Sequence, residues 1–180
     1  MSTEELLDEE RQRTEDEATP QTSQRLYQHL IRQPIGTSEP RPAVCVDPCT
    51  SVAGAIALMK RHGMGCVLVE AERHLVGIFT ERDVLFRVVG SGLDPAHTPV
   101  SQVMTANPET LTMEDELAWV LNMMAVGGFR HVPIVDEDGR PVAVFSVKHI
   151  VERLVEFFPT DVLNLPPRPG KNSARAREGA

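Results

Sequence analysis

The feature that most constrains the fold of this chain is an internal repeat in its middle. When the sequence is shifted by 65 positions, apolar residues and glycine fall on residues of the same kind; the matched pairs include Val46 with Leu111, Met59 with Met124 and Gly63 with Gly128. Two copies of one sequence pattern predict two copies of one structural unit. Each copy holds only about 50 residues, too few to bury a stable core alone, so we predict that the two copies pack against each other.

Each copy has the pattern of a β-α-β-β-α unit. In the first copy the predicted elements are a strand at Val44–Val46, a helix at Val52–Arg61, strands at Cys66–Val69 and Leu75–Phe79, and a helix from Glu81. In the second copy they are a strand at Thr110–Thr112, a helix at Glu116–Val126, strands at His131–Val135 and Val142–Phe145, and a helix from Val147. The Asp138-Gly139 pair predicts a tight hairpin between the last two strands. The predicted fold class is α/β, in the α+β sense, with two small sheets packed in a pseudo-twofold pair.

The composition divides the chain into four parts. Residues 1–41 begin with an acidic stretch and include a short amphipathic helix predicted at 23–31. The two repeats occupy residues 42–95 and 99–158, and the Pro-rich, basic residues 159–180 lack apolar periodicity. We expect the first part to be partly disordered and the last part to be disordered throughout.

The composition also disfavours several classes of function. The formal net charge of −8 opposes a nucleic-acid partner, and the chain has no apolar run long enough for a membrane span. The acidic amino terminus is unlike a secretory signal, and the three cysteines lack Cys-x-x-Cys spacing, so we expect a cytoplasmic protein. No Ser/His/Asp or Cys/His set is supported by its spacing, and we expect no enzymatic activity, metal or cofactor.

Two polar residues stand where a predicted strand of the first copy meets the helix from Glu81. Thr80 and Asp83 have i, i+3 spacing at this junction. A carboxylate placed there can accept the protons of two neighbouring ribose hydroxyls, and the free N–H groups of the starting helix favour a phosphate. The same spacing suits a helix start in which Thr80 caps the helix and Asp83 merely sits in its first turn, where the helix dipole favours a negative charge. Spacing alone favours the cap.

Three motifs carry a resemblance to a known family. They are Gly77-Ile-Phe-Thr-Glu-Arg-Asp83, Phe129-Arg-His-Val-Pro-Ile-Val-Asp136 and Val103-Met-Thr-Ala-Asn-Pro108. Each resembles a motif of CBS domains, and the tandem arrangement resembles a stand-alone CBS pair, also called a Bateman module. The resemblance implies a non-catalytic regulatory module that senses adenine nucleotides in clefts between its repeats. It also shifts the interpretation of Thr80 and Asp83 towards ribose binding.

The resemblance further implies a set of ligand-binding residues in one cleft. The predicted residues are Ile78, Thr80, Arg82, Asp83, Arg130, His131 and Lys148. In this interpretation Asp83 holds the ribose, and three basic side chains of the second repeat face it and hold the phosphate. The alternative is that Arg130 and Lys148 are ordinary solvated charges and that His131 covers a core edge.

The symmetry-related second cleft is predicted to be the weaker one. His149 stands where the family motif has aspartate, Ala143 replaces a glycine, and Gly65 and Cys66 replace basic residues. A histidine does not accept two hydroxyl protons as a carboxylate does. Ser146 and His149 therefore mark a weak or empty site, and we predict one competent site per chain for AMP, ADP or ATP.

The predicted helices bear on the partners of the chain. They are apolar on more than one face, which favours a homodimer formed through the helices, unless both faces are used within the pair. A regulatory module also implies a protein partner, which the sequence does not identify. The competing hypothesis is a structural or interaction protein of the CBS type whose sites are vestigial and bind no nucleotide.

Overall fold

The computed structural model describes Gln28 and residues 31–157 of the chain. Most of the helix predicted at 23–31, and the acidic and basic ends, lie outside the described residues. In chain order the elements are β1 (Arg41–Pro42), β2 (Cys45–Val46), α1 (Val52–His62), β3 (Cys66–Ala71), β4 (His74–Thr80), α2 (Glu81–Asp83), β5 (Thr105–Ala106), α3 (Leu117–Val126), β6 (His131–Val135), β7 (Pro141–Ser146) and α4 (Val147–Phe157). The predicted mixture of two small sheets with few helices is confirmed.

Four strands form the first sheet, in the order β2-β3-β4-β5. β2 runs parallel to β3, and the other neighbours are antiparallel. The four residues Cys66–Val69 of β3 are all buried, because α1 packs on one face of the sheet and the second sheet packs on the other. A continuous apolar run is the pattern expected of a strand that is covered on both faces.

The first helix begins and ends at residues that satisfy its backbone groups. The Ser51 side chain accepts a hydrogen bond of 3.1 Å from the N–H of Gly54. Gly63 follows the last turn with a φ of 60°, a left-handed conformation that glycine adopts without strain. The prediction of a helix that is broken by glycine is confirmed, and the helix ends at His62, one residue later than expected.

Three strands form the second sheet, in the order β1-β7-β6, and all its pairs are antiparallel. The strand predicted at Thr110–Thr112 is reduced to one parallel bridge between Leu111 and Ile134. Asp136 fixes the hairpin between β6 and β7, because its side chain accepts hydrogen bonds from the N–H groups of Asp138 and Arg140 at 3.0 and 2.8 Å. The hairpin and its two strands, β6 and β7, lie where the sequence predicted them.

The lead-in to each repeat packs on the other repeat, which the sequence analysis did not predict. β1 stands at the start of the first repeat but pairs with β7, and β5 stands at the start of the second repeat but pairs with β4. Ile35, which is fully buried, belongs to the core under α3, whereas Val100 belongs to the core under α1. This exchange, together with packing of Leu68 and Ile78 against Val144, joins the two repeats.

The helix predicted from Glu81 is short in its α-helical part. α2 covers Glu81–Asp83 and continues as a wider π-helical turn at Val84–Val88. Such π turns occur often beside functional sites. Within the part of the chain that the structure describes, no helix has both the length and the hydropathy of a membrane span.

Candidate functional site

A cleft of about 550 Å³, here called the first cleft, opens where the end of β4 and the start of α2 meet the residues before β6. Its walls therefore come from both repeats. Six of the seven residues predicted for the nucleotide site line it: Ile78, Thr80, Arg82, Asp83, Arg130 and His131. The seventh, Lys148, does not.

Thr80 and Asp83 form a closed corner at the start of α2. Oδ2 of Asp83 accepts hydrogen bonds from the backbone N–H of Thr80 at 2.9 Å and from its hydroxyl at 2.7 Å. In return, the N–H of Asp83 points at the Thr80 hydroxyl oxygen, 3.3 Å away. The corner is thus a reciprocal helix cap, of which the sequence analysis gave only the Thr80 half as an alternative. The cap and the ribose site do not exclude each other, because each carboxylate oxygen can accept a further hydrogen bond.

The second oxygen of Asp83 contacts an arginine one turn along the helix. Oδ1 lies 3.3 Å from the Arg87 guanidinium, which also donates to the carbonyls of Val103 and Met104 at 2.9 and 2.5 Å. Asp83 itself is only 6 % exposed. The corner is therefore fixed in orientation before any ligand arrives, since every bond to the carboxylate comes from the protein.

Arg82 and Arg130 supply positive charge to the first cleft. The guanidinium of Arg82 donates to the Gly128 carbonyl at 3.3 Å, so this side chain reaches from the first repeat to the second. Arg130 is exposed and lies on the wall that the second repeat contributes. Both guanidiniums are suited to a phosphate group, because their fork of N–H donors matches its oxygens.

The rest of the first cleft is largely apolar and was not predicted from the sequence. Phe86, Met123, Phe129 and Pro133 line this part. Phe86 is 76 % exposed although it is aromatic, which is unusual for a side chain without a role at a surface. A flat, apolar ring would fit here. The sequence contains no signal for this wall, because these residues form no distinctive pattern and have no charge to draw attention to them.

Lys148 requires a correction to the predicted site. It lines a second, smaller cleft of about 230 Å³ and forms an ion pair with Glu152 at 3.4 Å. The reason is the repeat symmetry: Lys148 is the second residue of α4, as Arg82 is the second residue of α2. Each helix start faces its own cleft, so the two residues do not share one.

The second cleft has a corner built like the first. Nδ1 of His149 lies 3.0 Å from the backbone nitrogen of Ser146, whose N–H donates to it, and 3.2 Å from the Ser146 hydroxyl. Burial, with the charge of Arg41 nearby, lowers the pKa of His149. His149 is therefore a neutral ring near pH 7, with the lone pair of Nδ1 already used. The residues predicted as poor substitutes, Gly65 and Cys66, lie on the wall of this cleft.

Arg41 of the second cleft was missed by the sequence analysis. Arg41 belongs to β1 and pairs with Val144 of β7. In the first repeat, Thr105 of β5 pairs with Ile78 of β4, which is the equivalent of Val144. Arg41 therefore takes the place in the second cleft that Thr105 takes in the first. The signal was weak, because strands of two residues show no periodicity.

Glu81, Arg130 and His131 form a wall that the two clefts share. The His131 ring packs so closely on Gly65 that a Cβ there would lie 2.9 Å from Nε2. Burial lowers the pKa of His131, and the carboxylate of Glu81 opposes this effect without cancelling it. His131 thus offers hydrogen bonds to a ligand and little charge near pH 7.

The cysteines and the acidic or imidazole side chains show no second kind of chemistry. Burial raises the pKa of both Cys45 and Cys66 to about 12, so their thiols stay protonated. Between residues 31 and 157, His, Cys, Asp and Glu side chains form no group of three that is placed to hold a metal ion.

The fold and the clefts define a duplicated α/β module whose ligand sites lie between its repeats. The family model of the CBS domain matches the chain twice, at residues 40–90 and 100–156. The chain belongs to the CBS domain family, and its two domains form a pair.

The relatives of the chain agree with this assignment. It is 37% identical over 110 residues to the CBS domain-containing protein CBSCBSPB1 of Arabidopsis thaliana, which covers 61% of this chain and 20% of that protein. The chain thus spans about a fifth of that curated relative. The crystal structure of an uncharacterized conserved protein from Pyrococcus horikoshii superposes with a TM-score of 0.63 at 32% identity, covering 69% of this chain and 93% of the other. A CBS domain protein from Pyrobaculum aerophilum, solved in complex with AMP, has a TM-score of 0.62 at 22% identity, with coverages of 71% and 99%.

Proposed function

We propose that this CBS pair is a non-catalytic regulatory module that binds an adenine nucleotide in the first cleft, with one competent site per chain. The observation that carries the proposal is the Asp83 carboxylate, buried and fixed by Thr80 on a cleft of about 550 Å³. A fixed carboxylate is the acceptor that a pair of ribose hydroxyls requires. The Pyrobaculum aerophilum protein, whose fold is similar, supports the view that a module of this shape accommodates AMP.

The other groups of the first cleft assign positions to the rest of the ligand. The Thr80 hydroxyl donates its proton to Asp83 and accepts from the N–H of Asp83, so one lone pair would remain as an acceptor for the ligand. The adenine ring would lie against Phe86 and Phe129, where offset stacking and burial of apolar area both favour it. The phosphate would lie towards Arg82 and Arg130.

Regulation follows from the origin of the two walls. Asp83 belongs to the first repeat and Arg130 to the second, so a ligand that contacts both favours the arrangement of repeats in which both reach it. The differential affinity for two arrangements is what would signal to a protein partner.

We also propose that the chain forms a homodimer through its helices, in the cytoplasm. The exposed apolar side chains that support this are Leu85, Phe86, Val89, Trp119, Val126, Val147 and Val151. They lie on the helical side of both repeats, and exposed apolar groups of this size are typical of association surfaces. Cys45, Cys49 and Cys66 are free, which is consistent with a reducing compartment. Light scattering at micromolar concentration tests the dimer, and a molar mass of one chain would reject it.

The test of the nucleotide site is titration calorimetry of the full chain with AMP. We expect one site per chain, and we expect Asp83→Asn to weaken binding by about 100-fold, because two charge-assisted hydrogen bonds are lost. Asparagine can still accept from Thr80, so much of the helix cap remains.

Asp115→Asn is the matched control. In a turn before α3, Thr112 and Asp115 repeat the two hydrogen bonds to a carboxylate oxygen, at 2.6 and 3.0 Å, but they line neither cleft. AMP affinity that falls equally in both variants would reject Asp83 as the ribose ligand. Two equal sites would reject the single competent cleft, and no binding of AMP, ADP or ATP would favour the structural protein with vestigial sites.

A further inference from the structure

The corner of the second cleft carries a hydrogen-bond donor that nothing in the described protein accepts. Since the N–H of Ser146 donates to Nδ1 of His149, the proton of the neutral ring is on Nε2. Nε2 is buried without a hydrogen-bond partner, and His149 is only 7 % exposed. A buried donor without an acceptor costs free energy, which a hydrogen bond to an acceptor in the cleft would recover.

Three basic side chains from three separate segments surround the same cleft. Arg41 comes from β1, Arg130 from the residues before β6, and Lys148 from α4. Arg41 makes one long hydrogen bond of 3.5 Å to the Gly63 carbonyl, and neither arginine forms an ion pair with a carboxylate of the described residues. Lys148 is paired with Glu152, at an exposed position where such pairs are weak.

The net charge of the side chains that line the second cleft is therefore opposite in sign to that of the first cleft. One carboxylate, Glu81, lines it against three basic groups, and its histidines add donors. The first cleft has three carboxylates, those of Glu81, Asp83 and Glu109, against two guanidiniums. With about 230 Å³ against about 550 Å³, the second cleft also has less than half the room of the first, which suits a smaller ligand.

We propose that the second cleft binds a small tetrahedral oxyanion of the phosphate class. Nε2–H of His149 and the guanidinium of Arg41 would donate to its oxygens, and Lys148, together with Arg130, which the two clefts share, would add positive charge. The cleft is then a distinct anion site and not a weakened copy of the nucleotide site. The replacement of aspartate by histidine at position 149 gives the corner a donor in place of an acceptor.

The test is calorimetric titration of the full chain with inorganic phosphate, against chloride at equal ionic strength. We expect one phosphate per chain, and we expect binding to weaken by at least about tenfold in His149→Asp, which replaces the donor with a negative charge. Arg41→Gln should weaken it by about fivefold to tenfold. Because Arg41 is only partly buried, this second variant keeps its fold even if His149→Asp does not.

Arg140→Gln is the control for the loss of one arginine. Arg140 bonds to Asp138 in the hairpin and lines neither cleft, so phosphate affinity should stay within about twofold. Phosphate that binds no better than chloride, or that binds equally well to Arg41→Gln and the wild type, would overturn the proposal.

A further titration with AMP in saturating phosphate separates a free anion from the phosphate of a nucleotide. We expect one AMP per chain in phosphate and no effect of Arg41→Gln on that value. A second equivalent of AMP that phosphate abolishes would assign the same donors to the nucleotide's own phosphate. A second equivalent that survives saturating phosphate would overturn the anion site.

Discussion

The two corners of the duplicated fold have one geometry and opposite chemistry. In the first, the N–H and hydroxyl of Thr80 bond to Oδ2 of Asp83; in the second, the N–H and hydroxyl of Ser146 approach Nδ1 of His149 in the same way. In both corners the backbone N–H group has a hydrogen-bond acceptor. What is left over differs: the carboxylate retains lone pairs, whereas the imidazole retains an N–H. A single substitution thus decides whether a cleft presents acceptors or a donor.

This difference shows why a helix cap and a ligand site can be built from the same residues. The cap uses one polar atom of Asp83 or of His149. The second polar atom of that side chain is then available for the cleft. Structural similarity between the repeats therefore carries no information about which ligand each one binds. The charges and volumes of the clefts do carry it.

The largest effect that we expect concerns the exchanged lead-ins. Ile35→Ala should lower the free energy of unfolding by about 3 kcal/mol, because Ile35 is fully buried in the core under α3. Val100→Ala, at the equivalent position under α1, should cost less because fewer methyl groups are removed. Urea unfolding measures both, and hydrogen exchange locates them: Ile35→Ala should loosen β7 before β3. Leu93→Ala, at a loop side chain that is 37 % exposed and outside the proposed dimer surface, is the control.

An Ile35→Ala variant as stable as that control would show that the lead-in does not belong to the second core. An equal loosening of β3 and β7 would show that the repeats share one cooperative core, which would remove the contrast between them.

The cores of the repeats could be predicted from the sequence, and the lead-ins could not. The continuous apolar run of β3 and the spacing of Val52, Ala55 and Met59 in α1 fix which residues face inward. Strands of two residues, such as β1 and β5, have no period from which a partner can be predicted. The one available signal was the match of Pro34-Ile35 with Pro99-Val100 at the same shift of 65 positions.

The next prediction concerns the charge of a nucleotide in the first cleft. We expect ATP to bind about tenfold more weakly than AMP, because the carboxylates of Glu81, Asp83 and Glu109 oppose the added phosphates. Glu109→Gln should reduce this preference, with Glu137→Gln, in the hairpin, as the control. Calorimetry in buffer without phosphate or magnesium measures the preference for AMP over ATP. ATP that binds more tightly than AMP would mean that the arginines dominate this cleft as they do the second.

The site could be predicted only in part, for a related reason. The motif that ends at Asp83 was enough to predict that Thr80 and Asp83 form a corner at the start of α2. Lys148 was assigned to the wrong cleft, since the sequence gives the order of charges along the chain and not the side of the pseudo-twofold axis on which each one lies. The apolar wall of Phe86 and Phe129 has no distinctive sequence pattern at all.

A smaller effect compares one backbone position in the two repeats. A Cβ at Gly77 would overlap Sδ of Met104, whereas the equivalent Ala143 is accommodated in the second core. Gly77→Ala should therefore lower the free energy of unfolding by about 1–2 kcal/mol, and Gly77→Ala with Met104→Ala should recover part of the loss. Ala143→Gly should cost about 0.5–1 kcal/mol through chain entropy. Urea unfolding tests all three. If Gly77→Ala is neutral, Met104 is free to move and the two positions are equivalent.

The last prediction uses the two buried histidines of the second cleft. Burial lowers the pKa of both His131 and His149 below the ordinary value of 6.5, so the unfolded chain binds protons more tightly than the folded one. Their contribution to stability is fully present above pH 6.5 and is lost as the pH falls through the folded-state pKa values. We expect the free energy of unfolding to decrease between about pH 7.5 and 5.5, and His149→Asn to flatten this decrease, because asparagine can accept from Ser146 but does not titrate. His74→Gln, at the exposed first residue of β4, is the control for the loss of one histidine. An equal slope in the wild type and in His149→Asn would mean that the ring is solvated, and its Nε2 donor would then need no ligand.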